Sequence, residues 1–134
     1  MDGLMMDFPL TLAHLFERVG TYFPGTELVT RRPDKSLHRT TYGEWHRRVQ
    51  KLANALVRLG VKPGDRVATL AWNTTRHLEV YFAVPLTGAV LHTINPRLSA
   101  QDLAYIVNHA GDTVLVVDDV LVPVWERFSK DVKP

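Results

Sequence analysis

The sequence contains no cysteine in 134 residues, which excludes a disulfide scaffold, a zinc ribbon and any thiol nucleophile. That composition fits a reducing compartment, and the cytoplasm is the expected location. No apolar run is long enough to span a bilayer. The stretch from Met1 to Leu10 carries Asp2 and Asp7 and no Lys or Arg, so it does not read as a secretory signal. An excess of one charge is also missing: 16 Lys and Arg against 14 Asp and Glu give +2, although the sequence pI is about 9.1. The densest basic clusters are Arg31, Arg32, Lys35 and Arg39, then Arg47, Arg48 and Lys51. The second cluster falls on a helical pattern and reads as a solvated face, so no nucleic-acid partner is expected.

Phosphate-binding glycine loops are absent as well. No G-x-G-x-x-G follows a strand, and no glycine-rich stretch ends in Lys-Ser or Lys-Thr. The turn from Gly60 to Asp65 precedes a strand, which is the wrong place for a phosphate on a helix N-terminus. None of the six histidines stands in an H-x-H or H-E-x-x-H pattern. His14 and Glu17 share a helical face, but two ligands do not make a site. His77 and Glu79 are two apart and point in different directions. No bound metal is expected.

What remains is ordinary globular composition, 46% hydrophobic and 22% charged. A chain of this length buries about two-thirds of its unfolded surface, enough for one real core. Thr11 stands at an N-cap, with Leu12, Leu15, Phe16 and Val19 at helical spacing before Pro24-Gly25. Glu27 to Arg32 and Leu37 to Tyr42 read as a β-hairpin around Pro33-Asp34-Lys35-Ser36. Thr41-Tyr42-Gly43-Glu44 is a capping-box pattern, and it opens a helix with Trp45, Val49, Leu52, Ala53, Leu56 and Leu59 on one stripe. Gly60 supplies its stop.

From Arg66 onward the pattern alternates. Apolar runs at Val67 to Ala71, Ala89 to Ile94 and Thr113 to Val117 are separated by helical stretches capped by Asn73-Thr74-Thr75 and by Ser99. Pro85 ends or kinks the first of these helices, and Gly111 closes the second. A last helix is expected to hold Leu121, Val124, Trp125 and Phe128. Continuous apolar runs, rather than alternating ones, are what strands covered on both faces look like. The fold expected is therefore α/β. Three βα units with a parallel sheet follow a helix, a β-hairpin and a long amphipathic helix. Residues 1–65 and 66–134 form the two halves.

In such a sheet, ligands sit outside the carboxyl ends of the strands. The loops there are Trp72 to Thr75, Asn95 to Leu98 and Asp118 to Val120. Asp118-Asp119 can hold magnesium or a ribose, but capping the last helix is the commoner use of Asp at that position. Arg97, in the rigid turn Asn95-Pro96-Arg97, can meet an anion, although the commoner role is bonding a helix end. No nucleophile, base and oxyanion hole assemble in the sequence.

Several segments together resemble the N-terminal part of the acyl-CoA synthetases, within the adenylate-forming superfamily. They are M-M-D-F-P-L-T-L at Met5 to Leu12, H-R-T-T-Y-G-E at His38 to Glu44 and L-G-V-K-P-G-D-R-V-A-T-L-A-W-N at Leu59 to Asn73. R-H-L-E-V-Y-F-A-V-P-L-T-G-A-V-L-H-T-I-N-P-R-L at Arg76 to Leu98 and L-A-Y-I-V-N-H-A at Leu103 to Ala110 continue the match. The resemblance is nearest to bacterial ligases of medium- or long-chain fatty acids. It implies a partial N-terminal subdomain of an AMP-binding enzyme. In the intact family member, a carboxylate attacks the α-phosphate of ATP, giving acyl-adenylate and pyrophosphate. The thiol of coenzyme A then displaces AMP. Magnesium and cationic groups stabilise the developing charge.

The family assigns those roles to a Ser/Thr/Gly-rich phosphate loop, a later aromatic motif, a hinge aspartate and a C-terminal lysine, none of which occurs here. The two motifs that do match, T-Y-G-E-W and L-T-G-A-V-L-H-T-I-N-P, are chiefly structural in the family. No catalytic, cofactor-binding or metal-binding residue is therefore carried over. The resemblance implies a truncated fragment, inactive alone, whose parent uses ATP, Mg, CoA and a fatty acid. The competing reading is a non-catalytic binding or dimerisation module that keeps the subdomain as a scaffold. In either case the resemblance makes residues 1–23 the expected surface for a homo-oligomer.

Overall fold

The computed structural model describes residues 6–133. The element order is α1 (Leu12–Tyr22), β1 (Glu27–Arg31), β2 (Leu37–Thr41), α2 (Tyr42–Arg58), β3 (Arg66–Leu70), α3 (Thr75–Leu86), β4 (Val90–Thr93), α4 (Ala100–Ala110), β5 (Val114–Val117) and α5 (Val122–Glu126). β1 and β2 form the antiparallel hairpin, with Glu27 opposite Thr41 and Arg31 opposite Leu37. β3, β4 and β5 form a parallel sheet in the order β4-β3-β5. The expected α/β architecture is what the chain adopts. Among the described residues no helix is long and apolar enough to cross a membrane.

The order of the strands follows from the crossovers. The step from β3 to β4 runs one way and the step from β4 to β5 runs back past β3. Right-handed crossovers in opposite directions place α3 and α4 on opposite faces of the sheet. The period of two along β3 then divides the core. Val67 belongs to one cluster with Phe16, Trp45, Val49, Leu56, Val80 and Val84. Ala68 and Leu70 belong to the other with Ile94, Leu103, Val107, Leu121 and Phe128. From Val67 to Leu70 every residue of β3 is buried.

Helix ends follow local chemistry. The Thr41 hydroxyl accepts the Glu44 N–H at 3.3 Å, but the Glu44 carboxylate takes the Thr40 hydroxyl at 2.9 Å rather than reaching back to Thr41. Only half of the capping box forms, because the Thr41 backbone lies in the hairpin ladder. At the other end of α2, Gly60 sits at φ +94 and donates to the Val57 carbonyl, while Val61 donates to Leu56. This is a Schellman stop, and it needs a residue free of Cβ strain at Gly60.

Four expectations are corrected. Only β3 is fully buried on both faces; β5 packs against both clusters but stays half-buried, and β4 is an outer strand with Val90 half exposed, because nothing among the described residues pairs beyond it. Leu59 leaves the apolar stripe at 74% exposure, since the chain is already turning out of the helix there. The last helix is broken. α5 spans five residues between 3₁₀ turns at Asp119–Leu121 and Ser129–Asp131. Pro123 fits only in a first helical turn, so one continuous helix from Leu121 cannot form. Arg48 is not merely a solvated charge. Its guanidinium Nε donates at 2.6 Å to Glu79, whose side chain is 6% exposed and also receives Arg76 at 3.0 Å. This ion pair ties α2 to α3.

α1 docks through Phe16, whose ring stacks on His46 at 4.0 Å and meets the Trp45 edge at 5.5 Å. Gly20 makes the approach possible: a Cβ there would stand 2.4 Å from the His46 ring. Gly20→Ala is therefore expected to lower stability by about 1–3 kcal/mol, with α1 displaced from α2. Gly25→Ala, which has open space, is the control. Thermal unfolding of both variants, followed by circular dichroism, checks the difference.

Candidate functional site at the carboxyl edge of the sheet

Loops leave β3, β4 and β5 at the same edge. After β4, the chain adds one rung, Ile94 N–H to the Thr69 carbonyl at 2.9 Å, and then turns. The Asn95 side-chain carbonyl accepts the Arg97 N–H at 3.0 Å, an Asx turn that Pro96 stiffens. Ser99 then caps α4, accepting the Asp102 N–H at 3.2 Å. The Arg97 guanidinium does not bond a helix end as expected. It stands over the Trp72 ring, 5.9 Å from the centroid, because the loop after β3 presents the half-exposed indole beside it. Among the described residues Arg97 has no carboxylate partner. A cavity of about 400 Å³ opens here, lined by Trp72, His77, Tyr81, Asn95 and Arg97 among others.

Asp118 and Asp119 also differ from expectation. Neither caps α5. The Asp118 carboxylate accepts the Trp72 N–H at 2.8 Å, and Asp119 accepts from Val120 next to it. Asp118 therefore joins the loops of two neighbouring strands, and its side chain makes no cap bond to the 3₁₀ turn that it precedes. A second cavity, about 560 Å³, lies between these loops and the hairpin; Arg31, Arg32, His38, Trp72, Arg76 and Asp118 are among its walls.

His77 faces inward from the first turn of α3. Its Nε2 lies 2.9 Å from the Thr69 hydroxyl and its ring meets the Tyr81 edge at 5.1 Å. Burial lowers its pKa below the ordinary 6.5, and the nearby Asp118 charge opposes that shift. Glu79 points elsewhere, into the α2–α3 ion pair, as the two-residue spacing requires. His14 lies against Phe8, the rings tilted by 33° with centroids 4.1 Å apart, instead of pairing with Glu17.

A His–Asp pair that sequence reasoning missed lies away from this edge. His92 Nδ1 is 2.9 Å from both oxygens of Asp112, a side chain only 2% exposed. Burial raises the Asp112 pKa while the His92 hydrogen bond opposes the rise. The residues sit on β4 and in the turn before β5, 20 positions apart, with no motif linking them. Their contact ties the outer strand to that turn. Among the described residues no three His, Asp or Glu side chains gather closely enough to hold a metal ion.

Comparison with known proteins adds a family to this geometry. The family model described as AMP-binding enzyme matches residues 16–133. The chain is 50% identical over 129 residues to a long-chain-fatty-acid–CoA ligase of Thermus thermophilus, covering 96% of this chain and 24% of the relative. It is 43% identical over 124 residues to a medium-chain-fatty-acid–CoA ligase of Ectopseudomonas oleovorans, covering 92% and 23%. Among solved structures, the N-terminal domain of FACL13 from Mycobacterium tuberculosis superposes with a TM-score of 0.77 at 25% identity, covering 87% of this chain and 29% of that one. The chain thus spans about a quarter of the length of the curated relatives it matches.

A depressed histidine pKa makes stability pH-dependent in a definite direction. The unfolded chain binds a proton at His77 near pH 6.5, whereas the folded chain resists it, so stability falls as pH drops below 6.5 toward the folded value. His77→Gln is expected to flatten this part of the profile. Urea unfolding at a series of pH values, with the variant curve subtracted, isolates the contribution from those of the other histidines.

Proposed function

The chain belongs to the AMP-binding enzymes, and on that premise we propose that it is the N-terminal scaffold of an ATP-dependent fatty acid–CoA ligase. The observation that carries the reading is 50% identity across nearly the whole chain to a ligase of that class. In the intact enzyme the fatty acid carboxylate attacks the α-phosphate of ATP, and the thiol of coenzyme A then displaces AMP from the acyl-adenylate. Among residues 6–133 no glycine-rich phosphate loop precedes a helix, and no three His, Asp or Glu side chains gather as a metal cluster. We assign no catalytic or metal-binding residue to them.

The edge of the sheet does suit an anion. Arg97, without a carboxylate partner among the described residues and spread over an aromatic face, presents a cation where open α/β sheets receive ligands. We read this corner as the part of the chain that meets a phosphate of the reactants. Residues 1–65 and 66–134 are then the two halves of the N-terminal portion of the AMP-binding domain, and the cytoplasm its compartment. No nucleic acid is assigned as a partner, because the charges nearly cancel and Arg39, Arg48 and Arg76 are taken up by carboxylates. Homo-oligomerisation through residues 1–23 is supported by the exposure of Met6, Phe8, Leu10, Leu15 and Tyr22; residues 1–5 lie outside the described part.

Two measurements test the reading. Fatty-acid-dependent exchange between pyrophosphate and ATP by the purified chain is expected to stay at background, and clear exchange would overturn the scaffold role. Sedimentation velocity is expected to show an oligomer that the double substitution Leu10→Ser, Leu15→Ser shifts toward monomer. A wild-type monomer at all concentrations would count against the interface.

A further inference from the structure

β3 ends at Leu70, and the peptide groups that follow are held from the loop after β5. The Asp118 N–H donates to the Leu70 carbonyl at 3.0 Å, extending the ladder. The Asp118 carboxylate then accepts the Trp72 N–H at 2.8 Å. One residue, 46 positions away in sequence from Trp72, therefore grips the chain on both sides of Ala71. The Trp72 carbonyl in turn accepts the Thr74 N–H at 2.8 Å, which closes the loop onto the start of α3. The loop is left little freedom.

We propose that Asp118 is a positioning residue for the carboxyl edge: by holding the Trp72 N–H it fixes the indole on which Arg97 lies, and so sets where that cation stands. The inference rests on the reading of this edge as the face that meets a reactant phosphate. Arg97 has its backbone set by Asn95, but among the described residues only the indole supports its guanidinium. A charge-assisted bond to a backbone N–H is among the stronger restraints a side chain can apply. It also has a sign that separates it from simple electrostatics. Removing a carboxylate near a cation favours an incoming anion, whereas releasing the indole disfavours it, since Arg97 loses its support.

The test uses the 134-residue chain, labelled with ¹⁵N and titrated with inorganic pyrophosphate. The Trp72 indole N–H and the Arg97 side-chain Nε–H resonances are followed. In the wild type the Arg97 signal is expected to move with pyrophosphate, and in Arg97→Ala binding is expected to be lost. Asp118→Ala is expected to displace both signals before any addition and to weaken binding by about three- to tenfold. Asp118→Asn, which keeps an acceptor oxygen without the charge, is expected to restore both. Asp118→Glu keeps the charge but misplaces the acceptor, and is expected to displace the signals; it serves also if the alanine variant does not fold. Unmoved signals in the alanine and glutamate variants, or pyrophosphate bound by Asp118→Ala as tightly as by the wild type, would overturn the positioning role. A wild-type Arg97 that ignores pyrophosphate would instead sink the reading of the edge, and the ligand-free spectra would still decide whether Asp118 holds the indole.

Discussion

Burial of β3 on both faces is the constraint from which the rest of the molecule follows. A strand with no wet face has to find cover twice, and the chain supplies it with α1, α2 and α3 on one side and α4 with the C-terminal turns on the other. Because the faces of a strand alternate, Val67 and Thr69 address one layer and Ala68 and Leu70 the other. Thr69 is the one polar residue among them, and its hydroxyl is satisfied by His77 on the helix that covers it. The polar contact thus sits where β3 gives way to its loop.

The same constraint generates the carboxyl edge. A right-handed crossover from β3 out to β4, and a second from β4 back past β3 to β5, leave neighbouring loops turning toward opposite faces. The space between them is where α/β sheets open a crevice. Here the crevice beside β5 is bridged by Asp118, whereas the one beside β4 carries Arg97 on Trp72. An acidic residue bound to backbone on one side and a cation without a partner on the other give the edge a polarity that composition alone, nearly balanced at +2, does not suggest.

Much of the architecture was legible in sequence because it is written in short-range terms. Hydrophobic period, Thr and Ser caps, and glycines at φ +94 and +64 closing α2 and α4 are all properties of a few adjacent residues. The resemblance carried by the stretch from Arg76 to Leu98 gave the family on the same local footing. What failed to appear was every decisive long-range contact. Asp118 reads as a helix cap because the local pattern contains no trace of Trp72. Arg48 reads as a solvated charge because Glu79 lies 31 residues away on another helix. His92 and Asp112 are each unremarkable until β4 and the turn before β5 are brought together. Whether β4 is central or outermost cannot be read from an apolar run either, since strand order is a property of the crossovers.

This division bears on function. The elements that identify the family are those that build and cap the scaffold, so likeness across 96% of the chain is a statement about folding before it is one about chemistry. Phosphoryl chemistry needs cations and hydrogen-bond donors fixed where charge develops. Of the residues at the carboxyl edge, Arg97 alone combines a positive charge, support from a rigid neighbour and freedom from a carboxylate partner among the described residues. The hairpin arginines lack that support: Arg32 is bound to His38, and Arg39 to Glu27 across the ladder. A guanidinium held against an indole loses less freedom when it meets an anion than one at the end of a mobile side chain. On the reading proposed for this edge, its contribution lies less in residues that could react than in how firmly one cation is presented.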